Sequence, residues 1–386
     1  MAEPLFFLSV GLVAYTFVGY PALIWLLAKT RRRPVRRGDG RPRVALVIVA
    51  FNEATRIRRK LESCLLQSYP RPLTRIVVAS DGSLDATAAV VREFAHENVT
   101  LLEFPARRGK ASCLNDAIAT CDEEVLVLTD ARQRLDPHAV ESLVSNFSDP
   151  DVGAASGELR LEAEGEAGFG ESVDAYWRYE KFIRRSESAF HSTVGATGAL
   201  YALRRSSFRP IPPDTILDDV LIPLNVVFAG RRVVFDHEAL AFDERTVDIS
   251  RERARKVRTL AGNFQLVAAH PRFLNPWRNP VFFQLVSHKL TRLCAPYALL
   301  VALASSVMLS RDSCAWSAVA GVQFVGYGLG VLGLASSAAS GFRLIRLATA
   351  FVSLNWFAVL GLVRFVSGRE IHLWNSRPNE PSGVKS

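Results

Sequence analysis

The sequence predicts an α/β domain with a mainly parallel sheet, flanked on both sides by helices that cross a membrane. Two observations support this fold class. Short apolar runs alternate with amphipathic segments from Val44 to about Thr129, which is the pattern of βαβ units. Apolar residues make up 49% of the 386, and they are concentrated at the two ends of the chain. We therefore expect the middle to fold in water and the ends to lie in a membrane.

The first part of the middle region is predicted to contain strands and helices in alternation. Val44–Ala50 is an uninterrupted apolar run, as is typical of strands that are buried on both faces. The predicted strands are Val44–Ala50, Arg75–Ser80, Val99–Phe104 and Val125–Thr129, and the predicted helices are Glu53–Gln67, Asp85–Glu97 and Lys110–Thr120. Parallel sheets bind ligands at the carboxyl ends of their strands, so binding residues are expected in the loops after the strands.

Several apolar stretches are long enough to cross a bilayer as helices. They are Pro4–Ala28, Arg292–Leu309, Ala315–Leu334 and about Leu347–Val366. A cleaved signal peptide is the alternative for the first stretch, but Glu3, without a basic residue before it, and the lack of a small-residue cleavage site disfavour it. The predicted organisation is an anchor at 1–28, a basic linker at 29–43, a domain at 44–275 and a C-terminal membrane region at 276–386. Within the domain, residues 251–273 form a basic amphipathic segment that is suited to a membrane surface.

The formal net charge of +9 is distributed unevenly. Eight basic residues lie between Lys29 and Arg43, directly after the first apolar stretch. Positive residues flank spans on the cytoplasmic side, so this run predicts an outside N-terminus and a cytoplasmic domain better than it predicts nucleic-acid binding. Four spans then place 369–386 outside, although its three basic residues are more typical of a cytoplasmic segment. The five cysteines show neither a C-x-x-C pair nor histidines at metal-ligand spacing, so neither a disulfide framework nor a zinc site is expected.

Polar clusters follow the predicted strands. They are Phe51-Asn52-Glu53, Ser80-Asp81-Gly82-Ser83, Gly109-Lys110 at a helix start, and Thr129-Asp130-Ala131-Arg132. A helix start with a lysine attracts phosphate, through its unpaired backbone N–H groups and the side-chain charge. A carboxylate next to a bound diphosphate can hold a divalent cation. Each cluster alone has a simpler explanation as a turn or a helix cap, but their order along the chain is more specific.

These clusters resemble the motifs of family 2 glycosyltransferases, the group that includes the cellulose, chitin and hyaluronan synthases. The resemblance extends from about Val44 to Phe273 and is carried by VALVIVAFNE, VVASDGSLDAT, RRGKASCLNDAI and VLVLTDAR. It implies a glycosyltransferase A-type, Rossmann-like domain that binds a nucleotide-diphosphate sugar, with UDP as the expected nucleotide. It also implies a divalent cation, Mg²⁺ or Mn²⁺, on Asp130. The donor-binding residues that it implies are Phe51, Glu53, Asp81, Lys110 and Asp130.

Arg132 departs from the family pattern, because it stands where a second aspartate is usual. Asp130 is then the one obvious protein carboxylate for the metal. Mg²⁺ tolerates this, since phosphate oxygens and waters often complete its coordination shell. In the alternative interpretation, Arg132 places a fixed positive charge near the diphosphate and weakens the metal requirement.

Asp218 and Asp219 precede the helix-like run Val220–Phe228. Helix capping explains one aspartate, but the resemblance identifies the pair with the family's acidic motif and Asp219 with its general base. A sugar hydroxyl is a poor nucleophile until a positioned carboxylate takes its proton. No second carboxylate is needed as a covalent nucleophile, so inversion at the anomeric carbon is expected.

Two further segments resemble family motifs. GATGALYALRR, at 195–205, is similar to the segment that lines the acceptor side, with Gly195, Thr197, Gly198 and the nearby Asp218 as expected contacts. Arg255 and Arg258, one helical turn apart, are expected to reach the leaving diphosphate. Processive members carry a tryptophan where this chain has Thr259, and threonine cannot stack on a sugar ring.

The sequence thus implies an inverting glycosyltransferase at the cytoplasmic face of a membrane, which the resemblance suggests is a bacterial inner membrane. The expected partners are a nucleotide sugar, a lipid-linked or polysaccharide acceptor and membrane lipids, without nucleic acid. The expected setting is cell-envelope or exopolysaccharide synthesis. Two alternatives stay open: a processive polysaccharide synthase with a secretion channel, and a non-catalytic scaffold with a degenerate nucleotide-sugar domain.

Overall fold

The computed structural model describes residues 1–162, 170–244, 249–336 and 339–368. The described chain forms two compact units. One contains 34–162 and 192–244, and we call it the sheet unit. The other contains 1–33, 170–191 and the described residues from 249 to 368, and we call it the helical unit.

Helices and strands are numbered along the chain. The helices are α1 (Ala2–Thr30), α2 (Ala54–Leu65), α3 (Thr87–Arg92), α4 (Lys110–Ala119), α5 (Ala139–Ser145), α6 (Gly170–Phe190), α7 (Asp218–Phe228), α8 (Ile249–Ala269), α9 (Phe282–Leu309), α10 (Cys314–Ala335) and α11 (Arg343–Val366). The strands are β1 (Val44–Ala50), β2 (Thr74–Asp81), β3 (Val99–Phe104), β4 (Val125–Leu128), β5 (Arg134–Leu135), β6 (Val152–Glu162), β7 (Tyr201–Arg204) and β8 (Arg232–Glu244).

The sheet unit is built on one eight-stranded sheet with the order β3-β2-β1-β4-β7-β6-β8-β5. The half made of β3, β2, β1 and β4 is parallel throughout, as predicted. The other half is mixed, because β7 runs antiparallel to both β4 and β6, while β6 and β8 are parallel. The expectation of a mainly parallel sheet therefore holds for the first half only. The four predicted strands and three predicted helices are present, with ends that differ by up to five residues.

The parallel half forms the core of this unit. All seven residues of β1 are buried, which explains its continuous apolar sequence. The carboxyl ends of β1, β2 and β4 meet at one edge of the sheet, because parallel strands all end on the same side. Gly82, which follows β2, has a φ of 63°, and a Cβ there would lie 2.6 Å from the backbone of Ala106 and Arg107. Glycine thus allows the loop before α4 to pass directly over the end of β2.

The helical unit contains four helices that are long and apolar enough to cross a membrane: α1, α9, α10 and α11. Each predicted span lies within one of them. The second span was predicted too short, since α9 begins at Phe282 and includes a π-helical stretch at Leu285–Leu290. The predicted amphipathic segment at 251–273 corresponds to α8 and a short 3₁₀ turn after it.

The two compact units divide the chain differently from the predicted domains, which stay predictions. The segment 44–275 was expected to form one domain, but α6 and α8 cluster with the membrane-spanning helices. One reason is that α8 packs closely against α11. A Cβ added to Gly361 would lie 2.8 Å from the Cβ of Leu260, so a small residue is needed at this contact. Residues 369–386, the predicted tail, lie outside the described residues.

A network of buried polar groups joins α1, α6 and α9 within the helical unit. The Tyr20 hydroxyl donates to Glu187 at 2.6 Å, and the two ring nitrogens of His288 lie 2.8 Å from Glu187 and 3.2 Å from Glu180. Arg292 forms an ion pair with Glu180. The network therefore links three helices through hydrogen bonds and an ion pair among buried side chains.

Candidate functional site

The loops after β1 and β2 are tied together at the carboxyl edge of the sheet. The N–H of Leu84 donates to Asn52 Oδ1 at 2.9 Å, and the N–H of Asn52 donates to Ser83 Oγ at 3.2 Å. Next to them, the guanidinium of Arg107 lies 4.0 Å from the ring centroid of Phe51, which is a cation–π contact. Phe51 was predicted to bind the donor; Arg107 was not. Both are flat groups of the kind that stack on a nucleobase.

Asp81 organises the loop that leads into α4. Its carboxylate is 3% exposed and accepts hydrogen bonds from the N–H of Arg108 at 2.6 Å, the N–H of Gly109 at 3.0 Å and the Cys113 thiol at 3.2 Å. Burial and the adjacent Asp81 carboxylate raise the pKa of the Cys113 thiol. Asp81 thus fixes Gly109 and the start of α4, beside the expected nucleoside site. Its predicted contact with the nucleoside stays a prediction.

Glu53 lies at the same edge but is largely buried. Its carboxylate is 4% exposed and forms an ion pair with Arg56 at 3.2 Å. Burial raises the pKa of Glu53, although the positive charge of Arg56 opposes this effect. The predicted donor contact of Glu53 is not tested by these contacts.

Lys110 bridges two of the predicted aspartates. Its Nζ lies 2.9 Å from Asp130 Oδ1 and 3.0 Å from Asp218 Oδ2. Burial alone would lower the pKa of Lys110, but the attraction of the two carboxylates outweighs burial and raises it. Asp130 follows β4, Lys110 begins α4 and Asp218 begins α7, so three separate elements converge on one ammonium group. Asp218 pairs with Lys110, and its predicted place on the acceptor side stays a prediction.

Gly198 lies between the general-base candidate and the metal-ligand candidate. Its N–H donates to Asp219 Oδ2 at 3.2 Å. A Cβ at Gly198 would lie 3.4 Å from Asp219 Oδ2 and from Asp130 Oδ2, and 3.8 Å from Lys110 Nζ. The loop is fixed on both sides, because the Ala196 N–H donates to the carbonyl of Asp219 at 2.7 Å. The structure therefore gathers Lys110, Asp130 and Asp219 around the glycine, and Asp218 joins this group through its ion pair with Lys110.

The other two predicted acceptor-side residues shape this loop. The N–H of Thr197 donates to Ser156 Oγ at 3.1 Å, and Thr197 is 8% exposed. A Cβ at Gly195 would lie 3.1 Å from Val220 Cγ2 and 3.2 Å from the carbonyl of Asp219. Gly195 therefore allows close packing of the loop on α7.

Two buried residues near these carboxylates were missed in the sequence. Lys60 is 1% exposed, and its Nζ donates to Thr129 Oγ1 at 2.6 Å and to the carbonyl of Gln133 at 2.9 Å, so it holds the loop that carries Asp130. Tyr201 is fully buried, and its hydroxyl makes no hydrogen bond within the described residues. Burial raises the pKa of Tyr201 well above its usual value, and the negative charges of Asp218, Asp219 and Asp130 raise it further. In the sequence, Lys60 is a single lysine within a charged helical segment. This pattern is typical of a solvent-exposed position, so the burial of Lys60 could not be predicted.

The remaining predicted donor residues belong to the helical unit. Arg255 and Arg258 lie on α8, and Arg255 forms an ion pair with Glu252 at 2.7 Å. The hydroxyl of Thr259 donates to the carbonyl of Arg255 at 3.0 Å, so it is used within the helix. The roles of both arginines at the diphosphate stay predictions.

Comparison with known proteins agrees with this architecture. The family model "Glycosyl transferase family 2" matches residues 45–211. The poly-beta-1,6-N-acetyl-D-glucosamine synthase of Staphylococcus epidermidis is 23% identical over 239 residues, which cover 60% of this chain and 56% of that protein. An N-acetylglucosaminyltransferase of Azorhizobium caulinodans is 29% identical over 175 residues, 44% of each chain. The chain thus spans about half the length of these curated relatives.

A solved structure shares the fold over almost the whole chain. A mannosyltransferase from Pyrobaculum calidifontis, in complex with GDP-Man and Mn²⁺, has a TM-score of 0.75 and 23% identity, covering 96% of this chain and 100% of that one. The fold is therefore of the glycosyltransferase A type, and the four apolar helices make this a membrane protein. Residues 45–211, which include Lys110 and Asp130 of the acidic site at the sheet edge, therefore match the glycosyl transferase family 2 domain.

Proposed function

We propose that this protein is an inverting glycosyltransferase that moves a sugar from a nucleotide-diphosphate sugar to a hydroxyl of a lipid-linked or polysaccharide acceptor. The expected nucleotide of the donor is UDP. The reaction would take place at the cytoplasmic face of the membrane, in cell-envelope or exopolysaccharide synthesis. The observation that carries this proposal is the grouping of Lys110, Asp130 and Asp219 around Gly198, with Asp218 paired to Lys110. This grouping combines a phosphate-binding cation with carboxylates at the edge where α/β sheets bind their ligands.

Asp219 is the general base in this proposal. The N–H of Gly198 donates to its Oδ2 and fixes the orientation of the carboxylate. Gly198 has no side chain, which leaves space beside this oxygen for an acceptor hydroxyl. As the hydroxyl oxygen attacks the anomeric carbon, its proton moves to Asp219 and the bond to the diphosphate breaks. A single displacement of this kind inverts the anomeric configuration.

Lys110 neutralises charge on the diphosphate. It begins α4, where Gly109 has a φ of 87°, and a helix start with a lysine favours phosphate. Arg255 and Arg258 are proposed to add positive charge there as the diphosphate leaves. Phe51 and Arg107 are proposed to hold the base, next to Asp81 and Glu53.

The site fits a divalent cation. Asp130 and Asp218 each place a hard oxygen ligand within 3.0 Å of Lys110 Nζ, and within the described residues no three histidine, cysteine, aspartate or glutamate side chains converge to hold a metal alone. Phosphate oxygens would therefore have to complete the shell, as is common for Mg²⁺. When bound, such an ion stabilises the negative charge that develops on the leaving diphosphate.

A processive polysaccharide synthase is the second candidate. The matches to a poly-beta-1,6-N-acetyl-D-glucosamine synthase and to the hyaluronan synthase of Streptococcus pyogenes, which is 31% identical over 125 residues, favour it. Thr259, in the place of the tryptophan of processive members, favours addition of a single sugar. Product length on a gel separates the two.

The test is a screen of nucleotide sugars with the full-length protein in detergent, with Mn²⁺, Mg²⁺ or a chelator. Turnover of one donor that is lost with the chelator and in Asp130→Ala would support the proposal. Asp122→Ala, which changes an exposed aspartate of the same unit, is the matched control and should leave turnover unchanged. Absence of both turnover and nucleotide binding in folded protein would overturn the proposal in favour of a non-catalytic scaffold.

A further inference from the structure

The two carboxylates best placed to hold a metal are bridged by a lysine of the protein itself. Lys110 Nζ lies within 3.0 Å of both Asp130 and Asp218, and its side chain is 18% exposed. An ammonium group at these distances occupies the position between two carboxylates that a divalent cation would take. Ammonium and metal ion cannot share that position, because their positive charges repel at this range.

The second aspartate that is usual in the metal-binding motif is absent, so it cannot reduce the competition between Lys110 and a metal ion. Position 132 holds arginine, and its guanidinium forms an ion pair with Asp243, a carboxylate that is 3% exposed. Gln133 also donates to Asp243, at 3.0 Å. Asp243 is thus used to neutralise Arg132, and Asp218 is the carboxylate that faces Asp130 across Lys110.

A buried hydroxyl independently indicates that this cluster is built for a ligand. Tyr201 is fully buried next to Asp130, Asp218 and Asp219, and its hydroxyl has no hydrogen-bond partner within the described residues. Buried hydroxyl groups almost always have a partner. A rearrangement of the carboxylates around a bound cation would offer this hydroxyl an acceptor.

We propose that Lys110 is the resident cation of the metal site, and that a divalent ion enters between Asp130 and Asp218 only together with a nucleoside diphosphate that draws the lysine away. This rests on the proposed function, because it takes a nucleoside diphosphate as the ligand. The diphosphate supplies the negative charge that Lys110 needs once it leaves the two carboxylates. Metal and nucleotide then bind cooperatively, and each raises the affinity of the other by the same factor.

The experiment measures binding of Mn²⁺ to the full-length protein in detergent, from the electron paramagnetic resonance signal of free Mn²⁺, without nucleotide. Lys110→Met and Lys110→Gln should each bind Mn²⁺ roughly tenfold or more tightly than the unmodified protein, because the competing charge is gone. Arg108→Met is the matched control: it removes a positive charge two residues away, where Arg108 pairs with Asp116 at the surface, and should leave Mn²⁺ affinity unchanged. Adding Asp218→Asn to Lys110→Met should abolish the gain, because Asp218 is the second ligand.

The same titration with UDP, and separately with GDP, tests the coupling. One of the two nucleotides should raise Mn²⁺ affinity strongly in the unmodified protein and much less in Lys110→Met. Equal Mn²⁺ affinity of the unmodified protein and both neutral variants, each with an ordinary melting transition, would overturn the proposal. Because these measurements need no sugar transfer, a protein that binds metal as expected but turns over no donor would contradict the proposed function alone.

Discussion

Arg132 forms an ion pair with Asp243, whose carboxylate is almost completely buried and also accepts a hydrogen bond from Gln133. The positive charge at the position of the family's second aspartate is therefore compensated by the protein itself. Replacing Arg132 by aspartate would restore the usual motif but leave two carboxylates facing each other. We expect Arg132→Asp to lower the free energy of unfolding by about 2–4 kcal/mol, because removing one partner leaves a buried charge uncompensated.

A double variant separates this repulsion from other effects of the substitution. Arg132→Asp with Asp243→Asn removes the facing charge, so most of the lost stability should return. Denaturant unfolding of the four proteins in the cycle gives the coupling energy. Additive effects of the two substitutions would show that the ion pair is not the reason for the arginine at 132.

Asp219→Asn should abolish sugar transfer and leave nucleotide binding intact. Asparagine keeps an oxygen that can accept the hydrogen bond from the N–H of Gly198, but it cannot take a proton from the acceptor. We expect the transfer rate to fall by about 10²–10⁴. Transfer assays and calorimetric titration with UDP or GDP check the two halves of this expectation, with Asp116→Asn at the surface as control. Near-normal turnover would rule out Asp219 as the base.

Alanine at two neighbouring glycines should give opposite results. A Cβ at Gly198 meets Asp130 and Asp219 at ordinary contact distance, so Gly198→Ala should fold with an unchanged melting temperature. It fills the space beside the proposed base, so kcat/KM should fall by roughly tenfold or more. A Cβ at Gly195 lies 3.1 Å from Val220 and 3.2 Å from the backbone of Asp219, so Gly195→Ala should cost about 1–2 kcal/mol of stability. Equal melting temperatures would contradict this account of Gly195.

How much of the structure can be predicted from the sequence depends on whether the residues that determine a feature lie close together in the chain. Val44–Ala50 could be placed to the residue because a strand buried on both faces has a continuous apolar sequence. Strand β6 could not, since Gly153 and Gly157 interrupt it and its last residues include Arg160 and Glu162. Helix α6 carries buried Glu180 and Glu187, whose partner His288 is more than a hundred residues away. The family resemblance pointed to the carboxylates of the site, but only the fold shows that Lys110 joins Asp130 to Asp218.

Lys60 should make stability depend on pH in the alkaline range. Burial lowers the pKa of Lys60, while Asp130 and Cys64 nearby act in the opposite direction. Between the lowered pKa and the usual value of about 10.4, the unfolded chain binds more protons than the folded one, so stability should rise with pH in that window. Lys60→Met removes this contribution. As pH rises, the free energy of unfolding of the unmodified protein should increase relative to that of Lys60→Met. Parallel curves of unfolding free energy against pH would contradict the lowered pKa of Lys60.

The His288 network in the helical unit should be a main source of its stability. His288 is 2% exposed, and it links Glu187 at 2.8 Å to Glu180 at 3.2 Å. His288→Ala removes a hydrogen-bond partner of both buried glutamates, so we expect a loss of about 3–5 kcal/mol, because removing one member of a buried polar network is strongly destabilising. His288→Ala with Glu187→Gln should recover part of the loss, because one negative charge is removed as well. Thr291→Ala is the matched control on the same helix, since the Thr291 hydroxyl donates to the carbonyl of Ser287 one turn before it. Thermal unfolding in detergent measures all four proteins, and a His288→Ala melting temperature equal to that of the control would show that the charges of the network do not contribute to stability.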